Sequence, residues 1–167
     1  FGKSVIPFEV PIVEDGKIVG WGSNRQQQIT QPYALEFVQD IKAIYAGYQC
    51  SIVLTGDGET IFFGNINNND YNEFHKYQYN IAKVALTADA VLGLTNDGEA
   101  VYLGSMQNSY IRVPEFEAKI VDIAATAATM AAVDENGKVY VWGNVSAAKG
   151  ENNVPTTDTK IVRLEAG

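Results

Sequence analysis

Acid–base catalysis near neutrality needs a group that titrates there, and this 167-residue chain has one histidine, His75, within Glu73-Phe74-His75-Lys76. No serine or cysteine motif lies beside it, so His75 reads as a solvated loop residue. The single cysteine, Cys50, opens an alternating apolar run, which is the setting of a small buried side chain and not of a reactive thiolate. Asn65-Ile66-Asn67-Asn68-Asn69-Asp70 gathers oxygen ligands, but it lacks the D-x-[DN]-x-[DN]-G frame and the distal glutamate of a calcium loop. It reads as a polar loop. Zinc spacing and phosphate-cradling glycine motifs are missing too. The expectation is a chain with no catalytic residue, no metal and no cofactor. Asn144-Val145-Ser146 fits a glycosylation sequon, which matters only in a eukaryotic secretory setting.

Recognition chemistry remains. Aromatic and arginine side chains dominate the energetics of protein interfaces, and Tyr48, Tyr71, Tyr110, Met106 and Arg25 lie in or beside polar segments, with Gln49 next to Tyr48. Asn24, Asn65 and Asn144 stand at the starts of three such segments. These nine residues are the candidate partner-binding set.

The frame that positions them is a repeat. Gly16 and Gly22, Gly58 and Gly64, Gly98 and Gly104, and Gly137 and Gly143 are four copies of one glycine pair, the second glycines being 42, 40 and 39 residues apart. Upstream of three of these pairs, and again near the C-terminal end, stands an apolar i, i+3 pair: Ile41/Ile44, Ile81/Val84, Ile120/Ile123 and Ile161/Leu164. In the three complete copies its first member lies 17 residues before the first glycine. Self-similarity at this period marks a repeat architecture, in which each unit buries its apolar face against its neighbours.

Within each copy a small-residue step (Ala46-Gly47, Leu86-Thr87, Ala125-Thr126, Ala166-Gly167) is followed by an alternating run, of which Ile52/Leu54, Leu92/Leu94 and Ala131/Val133 share one face. Period two is the signature of a half-buried strand. Asp57-Gly58, Asp97-Gly98 and Asn136-Gly137 come next, and such dipeptides predict tight hairpins because they accept positive φ. The return strands carry Val19/Trp21, Ile61/Phe63, Val101/Leu103 and Tyr140/Trp142 at equivalent positions, which predicts packing between neighbouring units. Helical periodicity is weak throughout.

Charge narrows the partners. Twenty acidic residues against twelve Lys and Arg give a net charge of −8, scattered along the chain. Nucleic acid needs a clustered basic field, so it is excluded, and anionic membranes are disfavoured in the same way. No run approaches the length of a membrane span, and no basic segment followed by an apolar one marks a signal peptide. One cysteine forms no internal disulfide, so stability must come from packing.

Ile44-Tyr45-Ala46-Gly47-Tyr48-Gln49-Cys50-Ser51-Ile52-Val53-Leu54-Thr55-Gly56-Asp57-Gly58, with Trp21-Gly22-Ser23-Asn24 and Trp142-Gly143-Asn144, resembles the regulator-of-chromosome-condensation repeat family. Within it the chain looks most like the short-repeat propellers that include the propeller-type β-lactamase inhibitory protein. The family pattern is I-A-A-G-x-x-H-x-L-A-L-T-x-D-G followed by W-G-x-N. Its histidine is replaced here by Cys50, Ala90 and Thr129, its small step becomes threonine at Thr87 and Thr126, and its basic chromatin-binding loops are absent. The resemblance implies an all-β propeller that binds partners through loops, and it transfers no active site.

The expected architecture is one β-propeller domain over 1–167 with about four three- to four-stranded blades. Its repeats cover approximately 1–40, 41–80, 81–119 and 120–160, and a closing segment 161–167 seals the ring as the C-terminal strand. The alternative is an open arc that completes a larger propeller by oligomerisation. The expected function is a non-catalytic protein-interaction or structural module whose partner is another protein, with a homo-oligomer or larger assembly as a further partner, and without nucleic acid or membrane insertion. An extracellular or virion surface component is one alternative and a carbohydrate-binding propeller is another. The first residue is Phe1, and with the acidic Asn/Tyr-rich composition it points to an extracellular or virion surface location before a cytoplasmic one.

Overall fold

The structure is a computed structural model that describes residues 12–14, 17–19, 24, 25, 27, 40–47, 50–64, 75–88, 90–105, 112–143, 154 and 157–166. Its elements are strands: β1 (Ile12–Glu14), β2 (Lys17–Val19), β3 (Ile41–Ala46), β4 (Cys50–Thr55), β5 (Thr60–Gly64), β6 (Ile81–Leu86), β7 (Ala90–Thr95), β8 (Ala100–Ser105), β9 (Ile120–Ala125), β10 (Thr129–Asp134) and β11 (Val139–Gly143). They form three antiparallel three-stranded sheets, β3-β4-β5, β6-β7-β8 and β9-β10-β11, and a two-stranded sheet β1-β2. Among the described residues no helix is long and apolar enough to cross a membrane.

Each sheet is built by the same local chemistry. The hairpins turn at Gly58, Gly98 and Gly137, with φ of 87°, 85° and 86°, where a side chain would be strained. Thr55 and Thr95 each accept, through Oγ1, the amide of the residue four further on, Glu59 or Glu99, at 3.0 Å. Asp134 Oδ1 does the same for Lys138 at 2.9 Å. The hairpin β1-β2 differs. Glu14 pairs with Lys17, and the sequence has Val13 where the other copies have Thr55, Thr95 and Asp134.

The three full sheets stand side by side as propeller blades. The faces that alternation assigns to packing meet between them. Ile52 and Leu54 of the first blade pack with Ile81, Val84, Val91, Val101 and Leu103 of the second. Leu92 and Leu94 of the second pack with Ile120, Ile123, Met130, Ala132 and Trp142 of the third. The core therefore lies between sheets, and no blade is buried without its neighbour. The first strands adjoin as well: Lys42 Nζ donates to Ala82 O at 3.1 Å, and Lys83 Nζ pairs with Asp122 Oδ1 at 2.7 Å.

Closure by the C-terminal strand is absent among the described residues. Residues 160–166 form no strand, and β1-β2 stands as a separate sheet. The arrangement matches the open-arc alternative.

Candidate functional site

Antiparallel register sorts the loops onto two rims. Ala46 pairs with Ser51, and Cys50 with Gly64, so the turn after β3 and the segment after β5 leave the first blade at the same end. In the second blade Leu86 pairs with Val91 and Ala90 with Ser105. In the third, Ala125 pairs with Met130 and Thr129 with Gly143. The strand ends that flank Tyr48, Gln49, Asn65, Met106 and Asn144 thus share one rim, opposite the glycine hairpins. Those five residues, with Tyr71 and Tyr110, lie outside the described residues. Asn24 and Arg25 are described and exposed, in a turn where Gln27 N donates to Asn24 O at 3.1 Å.

The inner part of this rim is well ordered by hydrogen bonds. Where the family has a small residue, Thr87 Oγ1 accepts from Ala90 N at 2.8 Å and Thr126 Oγ1 accepts from Thr129 N at 3.1 Å. The hydroxyl ties down the turn that a glycine would otherwise allow. Ala88 N then donates to Ala127 O at 2.8 Å, joining the turns of adjacent blades. Cys50, Ala90 and Thr129, which replace the family histidine, are all buried.

Between the first strands of blades two and three lies an open groove of about 330 Å³, lined by Lys83, Ala85, Ile123, Ala124, Leu164 and Glu165 among others. Asp122 anchors its charged end. Its Oδ1 receives Lys83 Nζ and its Oδ2 receives Leu164 N, each at 2.7 Å. On the hairpin rim a second recess, of about 450 Å³, lies between Asp97–Val101 and Pro114–Lys119. Burial pushes the Tyr45 phenol above its usual range, the Asp122 charge adding to it, against a lowering hydrogen bond from the Val84 backbone.

Threonines and Asp134 close hairpins, and Asp122 ties strands together. Among the described residues no three His, Cys, Asp or Glu side chains could hold a metal ion together. The Asn65–Asp70 loop lies outside them. Burial pushes the Cys50 thiol up to about 12. Its folded pKa is raised, so the protonated thiol's contribution to stability is full below the unfolded value near 9.0 and is lost as pH climbs toward 12. A thiol reagent is expected to label Cys50 only in denaturant. Fast labelling in native buffer would place it outside the core.

The sequence comparisons give no family: no family model and no curated protein matches the chain. Solved structures do match. Human WBSCR16 superposes with a TM-score of 0.59 at 18% identity, over 78% of this chain and 43% of that one. The CRINKLY WD40 ectodomain of the Arabidopsis thaliana receptor kinase ACR4 gives 0.60 at 14% identity, over 82% and 48%. Yeast RCC1 (Prp20), in its complex with Kap60, gives 0.56 at 19% identity, over 77% and 40%. The chain spans less than half the length of these structures. Together with the three repeated sheets, the likeness defines the class: an all-β propeller of blade-like repeats. More narrowly, the fold is that of the RCC1-like propeller repeats.

Proposed function

We propose that the chain is a non-catalytic protein-binding module that presents variable loops on a constant propeller frame. The observation that carries this reading is the contrast between frame and loops. Three sheets share one strand order and one hairpin placement, and their registers differ only by a shift between Val91 and Leu92 in the second, whereas the segments leaving β5, β8 and β11 on a common rim differ in length and sequence. Binding residues concentrate on loops held by rigid scaffolds. Yeast RCC1, whose fold this chain shares, is a protein captured in a complex with another protein, Kap60. The surface is acidic overall, with a net charge of −8, which suits a protein partner that carries basic residues at its rim contacts.

The candidate anchors are Tyr48, Tyr71, Tyr110, Met106 and Arg25, with Asn24, Gln49, Asn65 and Asn144 around them. The test is capture on the immobilised chain followed by mass spectrometry, with the triple variant Tyr48→Ala, Tyr71→Ala and Tyr110→Ala alongside. The triple variant is expected to keep its denaturation midpoint and to lose the captured partner. Equal capture by both chains would reject the rim as the binding surface.

A further inference from the structure

One blade caps a pair of main-chain groups that the next blade leaves open. In the first blade a side chain closes the outer edge of β5. Thr60 N donates to Gln78 Oε1 at 2.8 Å and Gln78 Nε2 donates to Thr60 O at 2.9 Å, so one carboxamide takes both groups that Thr60 turns away from β4.

The second blade repeats the register without the cap. Ala100 pairs with Leu94 as Thr60 pairs with Leu54. Thr95 N donates to Glu99 O at 2.9 Å as Thr55 N donates to Glu59 O at 3.0 Å. Hydrogen-bonded pairs alternate along an antiparallel ladder, so Ala100 N and O also turn outward from β8. Among the described residues neither has a hydrogen-bond partner. Ala100 is 8% exposed and lines the recess of about 450 Å³ between Asp97–Val101 and Pro114–Lys119.

Glu117 occupies the place of Gln78, each standing three residues before the next first strand, at Ile120 or Ile81. It is held by the third blade instead. Its carboxylate pairs with Lys138, and its amide donates to the Tyr140 hydroxyl at 3.2 Å. The second blade has Glu99 and Val101 at those two positions, so it offers Gln78 neither partner. A carboxylate would be a poor cap in any case, because it accepts from an N–H but has no proton for Ala100 O.

We infer that this recess is a docking site for a glutamine side chain of a partner protein, its carboxamide closing on Ala100 N and O as Gln78 closes on Thr60. The open groups set the chemistry: the occupant must accept from one and donate to the other, which a primary amide does through its oxygen and nitrogen. Half-buried Pro114 and Phe116 line the recess and offer apolar surface to the methylene stem. Buried main-chain groups are costly to leave unpaired, so capping them favours binding. The inference rests on the protein-binding reading for its partner, but its surface is the hairpin rim and not the loop rim.

Glu117→Gln installs the first blade's cap in the second. Peptides selected on the parent chain from a random display library are expected to share a glutamine and to bind Glu117→Gln about tenfold more weakly, the worth of roughly one hydrogen bond. Lys138→Ala breaks the same exposed ion pair but keeps the carboxylate, and it is expected to bind them as the parent does. In amide spectra of the isotope-labelled chain, propionamide is expected to move the Ala100 signal downfield and to leave Thr60 in place, whereas propionate moves neither. Selected peptides without a shared glutamine, undiminished binding to Glu117→Gln, equal weakening by Lys138→Ala or an Ala100 signal that ignores propionamide would overturn the inference. So would N-methylacetamide moving Ala100 as far as propionamide does, because the edge would then take a main-chain peptide group. The titration needs only the purified chain and no loop-rim partner, so failure of this site and failure of the loop-rim reading are told apart.

Discussion

Trp142→Ala is expected to lower the unfolding free energy by about 3–5 kcal/mol, the usual cost of emptying a large aromatic site. Trp142 stands on β11 opposite Met130 of β10 and is buried in the cluster that joins the second and third blades. Its ring meets Phe116 edge-on at 5.8 Å, and Phe116 meets Tyr140 at 4.9 Å, so removing the indole unseats an aromatic stack as well as a side chain. Among the described residues the indole Nε1 has no hydrogen-bond partner. Trp142→Phe therefore keeps much of the apolar contact and removes a donor that gains nothing from burial, and its cost is expected to stay below about 1.5 kcal/mol. Urea unfolding followed by fluorescence and circular dichroism separates the two variants. Equal midpoints for the alanine variant and the parent would mean that the indole does not bridge the blades.

The second large effect is expected at Asp134, which is 1% exposed. Its Oδ1 accepts the amides of Asn136 and Lys138, both at 2.9 Å, and its Oδ2 accepts the Tyr140 hydroxyl at 3.1 Å. That hydroxyl accepts in turn from Glu117 N at 3.2 Å, linking the hairpin to the segment that enters the blade. Asp134→Ala is expected to cost about 2–3 kcal/mol, because bonds to an ionised acceptor are the stronger kind and Tyr140 loses its acceptor. Asp134→Thr is the discriminating variant. It restores the threonine cap used by Thr55 and Thr95 while leaving the Tyr140 hydroxyl without its acceptor, so it is expected to recover part of the loss. Amide exchange at Lys138 should slow again in the threonine variant. If alanine and threonine were equally destabilising, the cap would contribute nothing and the tyrosine link would account for the whole effect.

These two sites mark what the sequence discloses and what it withholds. Glycines 58, 98 and 137 announce their hairpins because positive φ restricts the residue type, and the alternation at Ile52/Leu54 and Leu92/Leu94 announces the faces that meet between blades. Asp134 is different. Its position in the repeat is visible, but its link through Tyr140 to Glu117 depends on three-dimensional approach, which spacing does not encode. The threonines at 87 and 126 look like departures from a small-residue pattern until the turn geometry shows their hydroxyls capping the next strand. Ring closure was the least legible feature. Ile161 and Leu164 carry the right pattern for a final strand, but the angle between neighbouring sheets arises from the summed packing of many side chains. The rim set is a matter of loops, and most of it falls outside the described residues, so its placement rests on the strand ends that flank it.

Ile81 N donates to Gly58 O at 3.3 Å and Ile120 N to Gly98 O at 2.8 Å, so each blade meets the next through the same short docking step. Such a step behaves like a coupling on a train. An extra unit spliced in near position 80 would find a matching hook ahead and behind, and whole units could be gained or dropped in evolution without refitting the rest.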